Sequence, residues 1–236
     1  MILTNTMSPR VIGKGKDPTG LGRWTWTRLR GKDRTVTMIS AYRPCKPSTA
    51  GIQTVYEQHA RALPLDQEPR SQFLLNLRKS IAKIQSTGDV VFVGMDLNDP
   101  IERHNFQKFF AELNMHEAIL ITHQKTSPPA TNILNLENYP IDGLWCSIFI
   151  KPVRAGYSKF GEGTLSDHRT LWAEFQHDEV FGSNNKVQHK VAQLKSNDPR
   201  YVEKCVARSS KLLPKNQSYE QMTSLQQIPV HNFIQR

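Results

Sequence analysis

Four residues, Val90-Val91-Phe92-Val93, form an unbroken apolar run with Gly88 ahead of it and Gly94 behind it. A run this short and this apolar reads as a strand buried on both faces. Such a strand needs packing layers above and below it, so the chain around it is expected to build a layered α/β domain. With 38% hydrophobic and 22% charged residues the chain can supply a core. It has no apolar run of about eighteen residues, the length that marks a membrane-spanning helix.

Alternation and helical spacing fill in the neighbours of that strand. In Gly22–Arg30, Trp24, Trp26 and Arg28 fall on one face and Arg23, Thr25 and Thr27 on the other. Thr35–Tyr42 alternates Val36, Met38 and Ser40 against Thr37, Ile39 and Ala41, and the two segments make a hairpin across Gly31–Arg34. Helical spacing is weak over Thr54–Leu63 and clear over Pro69–Gln85, where Phe73, Leu74, Leu77, Ile81 and Ile84 share a face. A second helix is expected from about Ile101 to Leu113, and Pro128-Pro129 marks a loop. Further strands are expected at Leu144–Ile150, Val153–Tyr157 and Leu171–Phe175. Residues 1–20 read as an irregular lead-in, 21–176 as the domain, and 177–236 as a basic tail, helical or without order, with a helix start at Asp198-Pro199.

Formal net charge is +10, and eight Lys/Arg (Arg10, Lys14, Lys16, Arg23, Arg28, Arg30, Lys32, Arg34) crowd one segment against Asp17 and Asp33. Such a cluster favours a polyanion, nucleic acid first, although a solvated basic surface has the same composition. Trp24 and Trp26 beside these cations could stack on bases; their alternation places them in the core instead. Cys45, Cys146 and Cys205 are odd in number and far apart, and Met1–Lys16 lacks the pattern of a secretory signal. Both point to a reducing, intracellular setting, with the nucleus compatible.

Three polar clusters sit at strand ends: Asp96-Leu97-Asn98, Asp142, and Ser166-Asp167-His168. Each alone also reads as a polar turn or loop residue. Together they suit phosphoester hydrolysis, which needs cationic help at the non-bridging oxygens and a group to orient or deprotonate water. A histidine held by a carboxylate has a fixed tautomer and a raised pKa.

The order Tyr42-Arg43-Pro44, Gly94-Met95-Asp96-Leu97-Asn98, Ile141-Asp142-Gly143-Leu144-Trp145 and Ser166-Asp167-His168-Arg169 resembles the second half of the endonuclease/exonuclease/phosphatase superfamily, over roughly Gly20 to Phe175. The non-LTR retroelement endonucleases are the most similar branch. The resemblance implies an incomplete four-layered α/β/β/α sandwich of mixed sheets and magnesium-dependent hydrolysis of nucleic acid. It implies that Asp96 orients or deprotonates water, that Asn98 binds phosphate, and that Asp142 holds His168 against the scissile phosphate. Tyr42, Arg43 and Ser166 would contact substrate, and Asp167 would lie at the metal. Met95 stands where the family usually has glycine, and Gly143 where many members have histidine or tyrosine. The family's opening strand-asparagine and strand-glutamate segments have no counterpart here. The expectation is therefore a truncated, impaired domain, the alternatives being a nucleic-acid-binding module without catalysis or an inert remnant.

Overall fold

The computed structural model describes residues 8–45, 54–124, 128–134, 139–162 and 166–182. Eight strands are described: β1 (Val11–Lys16), β2 (Trp24–Arg30), β3 (Thr35–Tyr42), β4 (Val90–Asp96), β5 (Met115–Glu117), β6 (Asp142–Ser147), β7 (Pro152–Tyr157) and β8 (Leu171–Phe175). The helices are α1 (Val55–Ala62), α2 (Pro69–Gln85), α3 (His104–Glu112), α4 (Ala118–His123) and α5 (His177–Phe181). Six strands form one sheet in the order β1-β2-β3-β4-β6-β5, and β7 and β8 form a second. The large sheet is mixed: β3 and β4 run parallel, and its other pairs are antiparallel.

A parallel pair needs a crossover, and α1 with α2 provides it. α2 begins at Pro69, and the Glu68 carboxylate accepts hydrogen bonds from the backbone of Arg70 and Ser71. Phe73, Leu77 and Ile81 recur every four residues on one face of α2 and are wholly buried. They meet Val91, Val93, Ile39 and Trp24 on the sheet. α3 adds Phe106, Phe109 and Phe110 to the same core. Phe110 stacks on Trp145 of β6, with centroids 4.1 Å apart and planes 12° apart. That stack passes over Gly143, where a Cβ would lie 2.4 Å from the Trp145 ring.

The opposite face of β4 carries Val90 and Phe92, which join Leu29, Val36, Cys146 and Ile150 in a second core. β8 and α5 cover part of this face through Ala173, Phe175, Val180 and Phe181. Phe92 meets Phe175 edge-on at 4.9 Å. A cleft of about 310 Å³, lined by Met38, Phe92, Leu144, Ala173 and Phe175 among others, opens between the two sheets. α4 packs on β7 and completes the outer layer. The run Val90–Val93 is thus buried on both faces, as its apolar character predicts, and the architecture is a mixed-sheet α/β sandwich, as the resemblance implies.

Several boundaries differ from expectation. The irregular lead-in contains a strand: β1 has no apolar alternation, yet it pairs antiparallel with β2. Its Gly13 and Gly15 form the shelf on which the Trp26 indole lies, and a Cβ at Gly15 would sit 2.5 Å from that ring. Arg23 turns inward to Asp17 at 2.6 Å, with both side chains fully buried. α3 starts at His104 rather than Ile101, and the Ile101 amide donates to the Pro140 carbonyl. The segment expected as a tail opens with α5, whose Val180 and Phe181 are buried. The rest of the tail, Asp198 included, lies outside the described residues.

The stacked ring at the α3–β6 contact sets a stability test. Phe110→Ala should lower unfolding free energy by about 3–5 kcal/mol. Urea denaturation should show a lower midpoint at an unchanged slope.

Candidate active site

Three strands deliver one row of side chains. Tyr42 of β3 is paired with Asp96 of β4, and Asp96 with Asp142 of β6. Residues directly opposite share a face and lie roughly 5 Å apart. This row ends the face that carries Val36, Met38, Phe92 and Leu144, so the site is a polar extension of the cleft between the sheets.

His168 comes from the segment before β8. Its Nδ1 lies 2.8 Å from Asp142 Oδ2. Asp96, Asp142 and His168 each offer one ligand atom, and those atoms all lie within 4.8 Å of one another. Burial pushes the Asp96 carboxyl up, and the negative charge of Asp142 adds to it, raising its pKa to about 6. Burial pulls the His168 imidazole down, but the hydrogen bond and charge of Asp142 outweigh it, and the pKa is raised. Burial and the neighbouring Cys45 push the Tyr42 phenol up to about 12.

The scaffold behind these groups is dense. The Thr131 hydroxyl, fully buried, accepts hydrogen bonds from the amides of Ile141 and Asp142 at 2.9 and 3.1 Å. Residues 131–133 and 167–169 exchange backbone bonds, Arg169 to Thr131 and Ile133 to Asp167. The Ser166 hydroxyl accepts from the His168 amide at 3.0 Å. Asn98 has a left-handed backbone, φ 51°. Its side-chain amide donates to the Arg43 carbonyl at 2.7 Å, and its Oδ1 accepts from the Cys45 thiol at 3.2 Å. That thiol is also 3.3 Å from the Tyr42 hydroxyl.

Of the residues expected from sequence, the structure brings Tyr42, Asp96, Asn98, Asp142 and His168 to one end of the sheet. Arg43, expected to contact substrate, points inward instead. It pairs with buried Asp99 at 3.2 Å and donates to the Leu97 carbonyl. Asp99 also pairs with Arg70 at 2.7 Å and Arg103 at 2.9 Å, and this cluster fixes the turn that carries Asn98. Asp167, expected at the metal, is outside the tight group of three and lies 3.4 Å from Asn132 Nδ2. Ser166 is exposed, with its hydroxyl engaged by its own turn. Thr131, Asn132, Cys45 and Asp99 were missed, because each acts through loop hydrogen bonds that leave no periodic trace in the sequence.

No family model and no curated protein sequence matches the chain. The fold is nonetheless shared with solved structures. The human Nocturnin catalytic domain with bound sulfate is similar at a TM-score of 0.50 and 16% identity, over 72% of this chain and 61% of that one. The 3' phosphatase NExo from Neisseria, bound to product DNA hairpin, is similar at a TM-score of 0.51 and 12% identity, over 70% of this chain and 71% of that one. This chain therefore spans less than two thirds of the Nocturnin domain. Among the described residues, no helix is long and apolar enough to cross a membrane.

The burial of Asp96, with Asp142 beside it, has a measurable cost. The folded pKa of Asp96, about 6, lies above its ordinary 3.8. Ionising it therefore opposes folding. The penalty is absent below the ordinary value and complete above the folded one. Asp96→Asn should gain about 1–3 kcal/mol at neutral pH and nothing near pH 4. Chemical denaturation at the two pH values, in chelator-containing buffer, measures the difference.

Proposed function

We propose that this chain carries the C-terminal share of a phosphodiesterase domain that acts on nucleic acid. The observation behind this reading is the Asp142–His168 pair, 2.8 Å apart, facing Asp96 at the polar end of an open cleft. Asp96, with a pKa of about 6, can take a proton from an attacking water at neutral pH. Asp142 orients His168, which meets the scissile phosphate. The Tyr42 hydroxyl and the Asn98 amide flank the position that the phosphate would take, and Ser166 and Asp167 lie at its rim.

The donor set suits a hard divalent cation. Asp96 and Asp142 each present a carboxylate oxygen, and magnesium is commonly held by one or two carboxylates with water and phosphate oxygens filling the rest. Both nitrogens of His168 are engaged by Asp142 and Asn132, so the carboxylates, with Asp167 nearby, are the residues that would hold Mg2+. When bound, such an ion offsets the charge on the non-bridging phosphate oxygens. Two close carboxylates are a sparse set, and the neighbouring structures extend beyond the span matched here. Both points support a reading in which these residues cut slowly by themselves.

Nucleic acid as substrate rests on charge and on likeness. Lys14, Lys16, Arg30, Lys32 and Arg34 are exposed in or beside β1–β3, and NExo was captured with a DNA product. The retroelement-type endonuclease branch rests on Tyr42-Arg43-Pro44 and Asp142-Gly143 alone. The sparse carboxylate set favours one second reading: a nucleic-acid-binding remnant without catalysis.

Nicking of supercoiled plasmid in Mg2+ separates the two. His168→Ala and Asp96→Ala should each lower the rate by about 100-fold or more. Equal nicking by all three proteins would overturn the assignment. Salt-sensitive DNA binding without nicking would favour the remnant.

A further inference from the structure

Asn132 lies in the loop after Pro128-Pro129, and its side chain reaches the outward nitrogen of the candidate catalytic histidine. Its Nδ2 is 2.8 Å from His168 Nε2. The direction of that hydrogen bond is fixed by what surrounds the amide. The backbone N–H of Leu134 donates to Asn132 Oδ1 at 2.8 Å, so the oxygen faces Leu134. The nitrogen then faces His168 and also stands 3.4 Å from the Asp167 carboxylate, an acceptor. Turning the amide over would set donor against donor at Leu134 and oxygen against oxygen at Asp167. Asn132 is therefore the donor and His168 Nε2 the acceptor. The imidazole proton sits on Nδ1, donated to Asp142 Oδ2 at 2.8 Å.

This arrangement conflicts with phosphate binding. A phosphoryl oxygen is an acceptor and needs an N–H, or at least an open approach, at Nε2. In the folded chain the Asn132 amide fills that approach. The backbone reinforces it: Asn132 and His168 face each other as an isolated antiparallel bridge, and the Arg169 and Ile133 amides bond across the same two segments. The cap is therefore held by the loop rather than by a free side-chain torsion alone.

We propose that Asn132 is a positioning residue that caps His168 Nε2, and that a phosphate group must displace this amide to engage the histidine. The proposal rests on the phosphodiesterase reading for the histidine's role and adds to it a competitor built into the site. Breaking the cap costs substrate binding but leaves the Asp142 side of the imidazole in place.

The test uses the full chain and two substitutions. Asn132→Ala removes all three side-chain hydrogen bonds, to His168, Asp167 and Leu134. Asn132→Ser keeps a side-chain oxygen that can accept from the Leu134 amide, and so preserves the turn, but is too short to reach His168. If the first variant fails to fold, the second carries the test alone. Long-range proton–nitrogen NMR correlations of the imidazole are recorded at a pH high enough to keep His168 neutral. Nδ1 should read as protonated in all proteins. Nε2 should read as a hydrogen-bonded acceptor in the parent and as a free lone pair in the variants, a change that a purely structural role would not produce. Titration with inorganic phosphate, followed on the same signals at a lower pH where His168 is protonated and Nε2 carries an N–H, should then show binding roughly fivefold tighter in the variants, the weight of one ordinary hydrogen bond. An Nε2 signal that is identical in parent and variants overturns the proposal. So does an altered Nε2 signal with unchanged phosphate affinity, or with no phosphate response in any protein. The functional assignment is judged separately, by whether plasmid nicking still depends on His168, so the cap can fail while the nuclease reading stands.

Discussion

The register between β3, β4 and β6 is the constraint on which the rest depends. It places Tyr42, Asp96 and Asp142 in one transverse row while Ile39, Val91, Val93 and Trp145 point to the helices. Side chains in a strand alternate, so a slip of one residue would exchange those sets. It would bury two carboxylates under α2 and expose the core of the domain. The apolar packing of Phe73, Leu77, Ile81 and Phe110 therefore enforces the geometry of the polar row without touching it. Core and site are two faces of the same pairing.

Charge is distributed in two different ways on this scaffold. Asp99 is buried but surrounded by Arg43, Arg70 and Arg103, so its charge is compensated and it anchors a turn. Asp96, three residues earlier, is pushed toward neutrality by burial and by the negative charge of Asp142. One carboxylate is used to hold structure and the next is left poised. The contrast follows from position: Asp99 faces inward below the sheet's end, whereas Asp96 lies on the face that meets the cleft.

Elements with long, regular patterns are legible in the sequence. β3, α2 and β8 have the expected bounds, and the pairing of Asp142 with His168 was anticipated from the order of motifs. β1 was not legible, because a glycine-lysine strand carries no alternation and owes its place to the Trp26 ring lying across it. β5 and α4 are three and six residues long, too short for a period to show. An arginine beside a candidate phosphate site suggests a ligand contact, and nothing local to Arg43 reveals that Asp99 will pair with it from across the turn. Asn132 and Thr131 work through distances set by two loops meeting, which a linear pattern does not encode.

The glycine next to Asp142 shows how a remote layer can dictate the residue beside a reactive group. The indole of Trp145 leans over Gly143 because it is gripped by Phe110 on the far side of the sheet. Any bulk introduced at 143 would have to be exchanged for bulk at 145, and the loss would pass on to α3. A histidine or tyrosine next to the aspartate and a tryptophan stacked on α3 are therefore rival uses of one volume. This chain has spent that volume on its interior, so the diversity of its site has to come from the loops around 132 and 98 rather than from the strand itself.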